Sequence, residues 1–102
     1  TLQSGALTSY GVALPASTNT CVASFTPNNA TISYTLTQNG NQRTGTVKVD
    51  RYNSSVNFDE EYSQTGSTDA VVNITANSTY STFWANVSTS NPGSLVYRIT
   101  NL

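Results

Sequence analysis

The stretch that decides the fold lies at residues 30–50 and reads ATISYTLTQNGNQRTGTVKVD. Its first half places Ile32, Tyr34 and Leu36 on one side of an extended chain and serine or threonine on the other, which is typical of a half-buried strand. An Asn-Gly pair then supplies residues that tolerate positive φ, and the alternation resumes after it. The pattern predicts a β-hairpin over residues 31–50.

The same period of two continues outward from this hairpin over most of the chain. We expect further strands, separated by Pro, Gly and Asn turn residues, at 7–14, 20–26, 55–58, 70–76, 78–87 and 95–102. Strands at intervals of about 8–12 residues are typical of sandwiches and jelly rolls. The sequence therefore predicts a single all-β domain over residues 1–102. We expect an antiparallel β-sandwich, jelly-roll or immunoglobulin-like, of about seven or eight strands.

Composition excludes several classes of partner. Charged residues make up 9% of the chain and the formal net charge is −1. The cations are Arg43, Lys48, Arg51 and Arg98, too few for a patch that neutralises several phosphates, so we expect no nucleic-acid partner. No apolar run approaches the roughly 20 residues that cross a bilayer, so we expect no membrane insertion.

The start of the chain and its single cysteine bear on two questions, whether the domain belongs to a longer protein and in which compartment it folds. The sequence opens on Thr1 without a methionine, so we expect the C-terminal domain of a longer protein. Cys21 has no partner for an intrachain disulfide, as in domains that fold in a reducing cytosol. It lies in an alternating run and the chain has no histidine to activate it, so we expect a buried, unreactive thiol.

The acidic run Asp59-Glu60-Glu61 is the main candidate for chemistry. Paired carboxylates can hydrolyse glycosides or hold calcium. Calcium loops, however, space their ligands at alternate positions around a glycine turn, and hydrolysis needs one carboxyl kept protonated by an apolar pocket. Three adjacent acids after a strand favour a solvated turn. With no histidine in the chain, we predict no catalytic residue, no metal site, no cofactor and no enzymatic activity.

The aromatic residues point to binding. The chain has six Tyr, three Phe and one Trp, and flat rings beside Asn, Thr and Arg suit the apolar faces and hydroxyls of sugars. Most of these rings must serve the core. Tyr52, Tyr62 and Arg51 flank expected turns, where side chains escape the core, so we predict these three as carbohydrate-binding residues.

The only tryptophan lies in a stretch that is apolar on both faces, Ser81-Thr82-Phe83-Trp84-Ala85. Such a stretch indicates either a central strand with Trp84 in the core or a contact surface between subunits. The sequence leaves these alternatives open.

Several motifs follow one another from the hairpin to the end of the chain. They are RTGTVKV at 43–49, VNFDEEY at 56–62, Thr65-Gly66 before the strand at 70–76, and the closing YRITNL at 97–102. In this pattern residues 31–102 resemble the small β-sandwich domains that end many bacteriophage tail fibres and tailspikes. The resemblance implies a homotrimer in the virion, made in the host cytoplasm, and a role in host attachment. It supplies no shared binding motif, so no ligand residue is carried over from it.

The resemblance implies one of two roles in attachment. The domain either binds host-surface carbohydrate or stabilises the trimer of a longer fibre. Two alternatives stay open beside it. One is a structural virion component such as a capsid decoration domain. The other is a non-catalytic carbohydrate-binding module that accompanies a depolymerase or a bacterial adhesin.

Overall fold

The structure, a computed structural model, describes residues 9–66 and 68–101, and its regular elements are eight β-strands. The strands are β1 (Tyr10–Leu14), β2 (Thr18–Phe25), β3 (Asn29–Gln38), β4 (Asn41–Tyr52), β5 (Ser55–Thr65), β6 (Ala70–Ala76), β7 (Ser81–Val87) and β8 (Gly93–Asn101). They form a five-stranded sheet in the order β1-β8-β3-β4-β5 and a three-stranded sheet in the order β2-β7-β6. All neighbouring strands are antiparallel. The predicted antiparallel β-sandwich is therefore confirmed.

The predicted hairpin is confirmed as β3 and β4, which pair without interruption from Asn29↔Asp50 to Gln38↔Asn41. Its turn uses the Asn-Gly pair as expected, with φ of 50° at Asn39 and 78° at Gly40. Left-handed φ at both central residues gives a turn whose twist matches that of the strands.

The core lies between the two sheets and is built from the inward rows of each strand. Ile32, Tyr34 and Leu36 of β3 are all at most 2% exposed, as the alternation predicts. Phe83 of β7 is fully buried, with its ring stacked 6.4 Å from that of Tyr34 and edge-on at 6.3 Å to that of Tyr97. These rings join the sheets across the middle of the sandwich.

The two sheets differ in width, which leaves the margin of the larger one uncovered. The inward side of edge strand β5 carries Phe58 and Tyr62, which remain 39% and 52% exposed. An edge that overhangs the opposite sheet does not require apolar residues, and β5 accordingly reads SVNFDEEYSQT. The scarcity of apolar residues explains why the sequence predicted a strand only at 55–58, whereas β5 continues to Thr65.

The interpretation of Asp59-Glu60-Glu61 as a solvated turn is wrong, because these residues lie in the middle of β5. Asp59 and Glu61 are exposed and Glu60 is partly buried on the inward side. Charges on an edge strand, including an inward-pointing one, discourage edge-to-edge pairing with other chains.

The expectation of a buried Cys21 is also wrong, because its thiol is exposed. The register of β2 with β7 shifts between Cys21 and Ala23. A bulge of this kind inserts one residue and reverses the parity of the strand. Cys21 therefore lies on the outer face although Ala23 and Phe25 face inward.

The central-strand alternative is confirmed for residues 81–85, which belong to β7 in the middle of the smaller sheet. The core placement of Trp84 is wrong. Its side chain is partly exposed on the outer face, where the indole N–H donates to the hydroxyl of Thr75 at 2.8 Å. Phe83, its neighbour, takes the core position instead.

Candidate functional site

No part of residues 9–66 and 68–101 covers the outer face of the five-stranded sheet, which carries a groove of about 540 Å³. Its floor is formed by the short hydroxyl side chains of Ser33 and Thr35 on β3 and of Thr44 and Thr46 on β4, paired as Ser33↔Thr46 and Thr35↔Thr44. We call this feature the hydroxyl groove. Longer side chains flank the short ones at one row, where Arg98 of β8 lies beside Ser33 and Glu61 of β5 lies beside Thr46.

The flanking side chains give the hydroxyl groove charges of opposite sign along its two sides. Arg98 and Val96 of β8 lie beside Ser33 and Thr35, while Glu61 of β5 lies beside Thr46. Three strand spacings of about 4.8 Å place the Cα atoms of Arg98 and Glu61 about 14 Å apart. The site therefore offers a guanidinium donor, a carboxylate acceptor and neutral hydroxyls between them.

A second depression, of about 590 Å³, adjoins the hydroxyl groove on the same sheet. Its lining includes Lys48 and Asp50 of β4 and Asp59 of β5, with Lys48 directly opposite Asp59. The two depressions together follow strands β3 to β5 along much of their length, so an elongated ligand fits this face better than a compact one.

The structure places Tyr52 on this outer face, at the end of β4. Its ring is 76% exposed, as expected for a surface residue. Tyr52 is six residues from Thr46 along the strand, which is about 20 Å at 3.3 Å per residue. It thus lies beyond the far end of the second depression rather than in the hydroxyl groove.

Tyr62 lies on the opposite side of the sheet from Tyr52. It pairs with Gly45, and its ring lies 4.6 Å from the guanidinium of Arg43 in a cation–π contact on the inward side of β5. Arg43 is itself buried and donates to the carbonyl of Ala70 in the other sheet. Tyr62 therefore covers a structural arginine, although its ring remains half-exposed.

Glu60, next to Tyr62 on the inward overhang, accepts a hydrogen bond from Tyr34 and lies 4.0 Å from Arg43. Burial and this hydrogen bond raise the pKa of Tyr34 well above its usual value, so the phenol remains a donor. The phenol passes close to Gly45, where an added Cβ would lie 3.0 Å from the Tyr34 oxygen. The absence of a side chain at residue 45 permits this contact.

The expectation that Arg51 has an accessible guanidinium is wrong, since the residue is only 4% exposed. Arg51 faces inward and donates to four backbone carbonyls, those of Thr26, Asn77, Ser78 and Thr79. It ties the end of β4 to the loops before β3 and β7.

The structure thus does not bring Tyr52, Tyr62 and Arg51 together. It brings together the outer-face hydroxyls of β3 and β4, which our sequence reasoning did not include in the site. Their signal was the alternation itself, because Ser33 and Thr35 occupy one continuous side of a strand. The alternation does not indicate whether another part of the protein packs on this side of the strand.

Within residues 9–66 and 68–101, no three acidic, cysteine or histidine side chains are grouped so that they could hold a metal ion. The same residues include no helix long and apolar enough to cross a membrane. No protein-family model matches the chain, and no curated protein or solved structure is significantly similar to it.

Proposed function

We propose that this chain is a virion attachment module, of the kind that ends a tail fibre or tailspike, and that it binds a host-surface carbohydrate along the hydroxyl groove. The observation that carries the proposal is a sheet face that the described part of the chain leaves open, with a floor of short hydroxyls between Arg98 and Glu61.

The chemistry of the groove fits a sugar better than an apolar ligand. Serine and threonine hydroxyls both donate and accept hydrogen bonds, as sugar hydroxyls do. The methyl groups of Thr35 and Thr46, with Val96 beside Thr35, offer apolar contact to the C–H groups of a sugar ring. Val96 is 48% exposed, so this contact is available without rearrangement. Arg98 and Glu61 add one charged donor and one charged acceptor.

We further propose that binding occurs without turnover. Hydrolysis of a glycoside requires one carboxyl kept protonated by an apolar environment, opposite a second across the bond. Glu61 of the hydroxyl groove and Asp59 of the second depression are both exposed and lie two residues apart on one strand. An arrangement of this kind can accept hydrogen bonds from a bound sugar, but it does not separate the roles of acid and base.

The module is also proposed to form a homotrimer, as the resemblance to fibre domains implies. Exposed aromatic rings at the two margins of the larger sheet support this part of the proposal. Tyr10 on β1 is 55% exposed, and Phe58 and Tyr62 lie on the overhang of β5. Burial of these rings against neighbouring copies leaves the outer face with its groove open to a receptor.

The test is a glycan array probed with the purified chain and with the double variant Thr35→Val/Thr46→Val. Valine has nearly the shape of threonine and replaces its hydroxyl with a methyl group, which cannot form a hydrogen bond. Loss of two hydrogen bonds of about 0.5–1.5 kcal/mol each predicts roughly a 5- to 150-fold weaker Kd. Thr65→Val, on the same face but outside the groove, is the matched control.

The wild-type chain and Thr65→Val should bind the same glycans, and the double variant should lose them. Absence of any glycan binding by the wild-type chain, or equal binding by the double variant, contradicts the proposed site. Light scattering on the same samples reports the mass, and a monomer at all concentrations contradicts the proposed trimer.

A further inference from the structure

The distribution of charge between the two sheets is strongly uneven. Of the nine charged residues in the sequence, eight lie on β4, β5 and β8 of the larger sheet, and the ninth, Asp69, lies in the loop before β6. The three strands of the smaller sheet therefore carry no charge. Its outer face is a neutral surface on a protein whose other outer face carries charges of both signs.

That neutral surface is a grid with Trp84 at its centre. On its two sides the tryptophan is paired with Cys21 of β2 and Asn73 of β6. We define the Trp84 face by three rows, Asn19–Asn86–Val71, Cys21–Trp84–Asn73 and Ser24–Thr82–Thr75. Most of its members are exposed, and Val71 is exposed to 60%.

The indole of Trp84 is held in place rather than free to rotate. Its N–H donates to the Thr75 hydroxyl at 2.8 Å, and on the same row the Ser24 and Thr82 hydroxyls lie 3.2 Å apart. A fixed ring loses little conformational freedom when a ligand stacks on it. The primary amides of Asn73 and Asn86 stand next to it, and each offers donors and an acceptor.

We propose that the Trp84 face is a second carbohydrate site, separate from the hydroxyl groove, which takes a neutral mono- or disaccharide unit by stacking on the indole. The amides of Asn73 and Asn86 bond the sugar hydroxyls at the rim of the ring. The absence of charge on the face fits a neutral sugar and gives no partner to an acidic one.

The size of the Trp84 face favours a sugar over a second copy of the chain. Three strands at about 4.8 Å spacing and two steps of about 6.7 Å along each strand give a grid of roughly 10 by 13 Å between Cα atoms. A stable protein interface involves about 20–30 residues on each partner, more than twice the nine residues of this grid. The grid matches one or two sugar rings instead.

Trp84 is the only tryptophan of the chain, so its fluorescence reports this face alone. The test titrates the full chain with neutral monosaccharides and disaccharides of glucose, galactose and N-acetylglucosamine, to concentrations in the millimolar range expected for so small a ligand. At least one member should change the Trp84 emission saturably. The Thr35→Val/Thr46→Val variant should respond equally, because its substitutions lie on the other sheet.

Three further samples locate the binding. Asn73→Ala, an exposed substitution, should weaken the response at least threefold, while Asn57→Ala on the outer face of β5 should leave it unchanged. A bulky maleimide on the exposed Cys21 should block binding. The proposal is overturned if no sugar changes the emission, if the groove variant abolishes the response, or if the emission follows protein concentration instead, which identifies the face as a contact between copies.

Discussion

Replacement of Arg51 by alanine removes a guanidinium that joins β4 to two loops of the sandwich. The side chain is 4% exposed and donates to the carbonyls of Thr26, Ser78 and Thr79, with a longer bond of 3.4 Å to that of Asn77. Hydrogen bonds to a charged group contribute about 1.5–3 kcal/mol each when buried. All four acceptors belong to exposed residues, so water regains much of this bonding in the variant.

The net loss for Arg51→Ala is therefore about 2–4 kcal/mol in the free energy of unfolding. For a domain of this size that corresponds to a Tm lower by about 10–25 °C. Urea denaturation followed by far-UV circular dichroism gives the unfolding free energy, and the m-value should stay constant. Arg51→Lys should restore less than half of the loss, because one ammonium cannot serve four carbonyls in a fork.

The matched control is Lys48→Ala, which removes an exposed cation from the same strand and should change the unfolding free energy by less than about 0.5 kcal/mol. Glycan binding by folded Arg51→Ala, measured well below its Tm, should equal that of the parent. Unchanged stability together with lost glycan binding would contradict a structural role for Arg51 and would indicate that it contacts the glycan.

Three other perturbations test individual contacts. Trp84→Ala should cost about 1–2 kcal/mol in urea denaturation, less than the 3–5 kcal/mol of a buried tryptophan, because its ring is partly exposed; a larger loss would place it in the core after all. Gly45→Ala should cost about 2 kcal/mol or more, since the new Cβ would lie 2.7 Å from the Glu61 carbonyl oxygen and 2.8 Å from the Tyr62 Cβ; a neutral result contradicts the close approach. Hydrogen bonds from the side chains of Thr89 and Gln38 lower the pKa of Asp69. Its contribution to stability is therefore present above the unfolded-state pKa of about 3.9 and lost as the pH falls through the lower folded-state pKa. The difference in unfolding free energy between the parent and Asp69→Asn should shrink over that interval, and a constant difference from pH 7 to pH 2 opposes this assignment.

The sequence was sufficient to predict the strands whose two faces differ most. β3 alternates between buried apolar residues and hydroxyl residues that are mostly half-buried, and β6 was predicted with its observed bounds of Ala70–Ala76. In both strands one face is buried against the opposite sheet, so the period of two survives intact in the sequence.

The errors have a common physical origin in the unequal widths of the sheets and in one bulge. Because β5 overhangs, its inward side tolerates Glu60, and a strand there looks like a loop in the sequence. The irregular register after Cys21 reverses which residues face inward. The alternation of apolar and polar residues in the sequence does not reveal such an inserted residue. Trp84 occupies an outer face whose exposure depends on the absence of a third layer, which composition does not encode.

The candidate binding residues were misplaced for a related reason. Tyr52 and Tyr62 both lie near expected turns, but the β4–β5 register pairs Tyr52 with Ser55 and Tyr62 with Gly45. Gly45 and Tyr52 are seven residues apart, an odd number, so the two rings lie on opposite faces of the sheet. Knowledge of the register alone would have separated them.

The hydroxyl groove is the proposed place of ligand contact in this chain. The most direct measurement is a titration of the ¹⁵N-labelled chain with the best-binding glycan of the array, followed by amide chemical shifts. We expect the largest shifts at residues 33–35, 44–46, 61–63 and 96–98, with little change at Tyr52 and the neighbouring turn. Shifts that concentrate at Tyr52 and its turn, and leave the four groove segments unchanged, would contradict the claim.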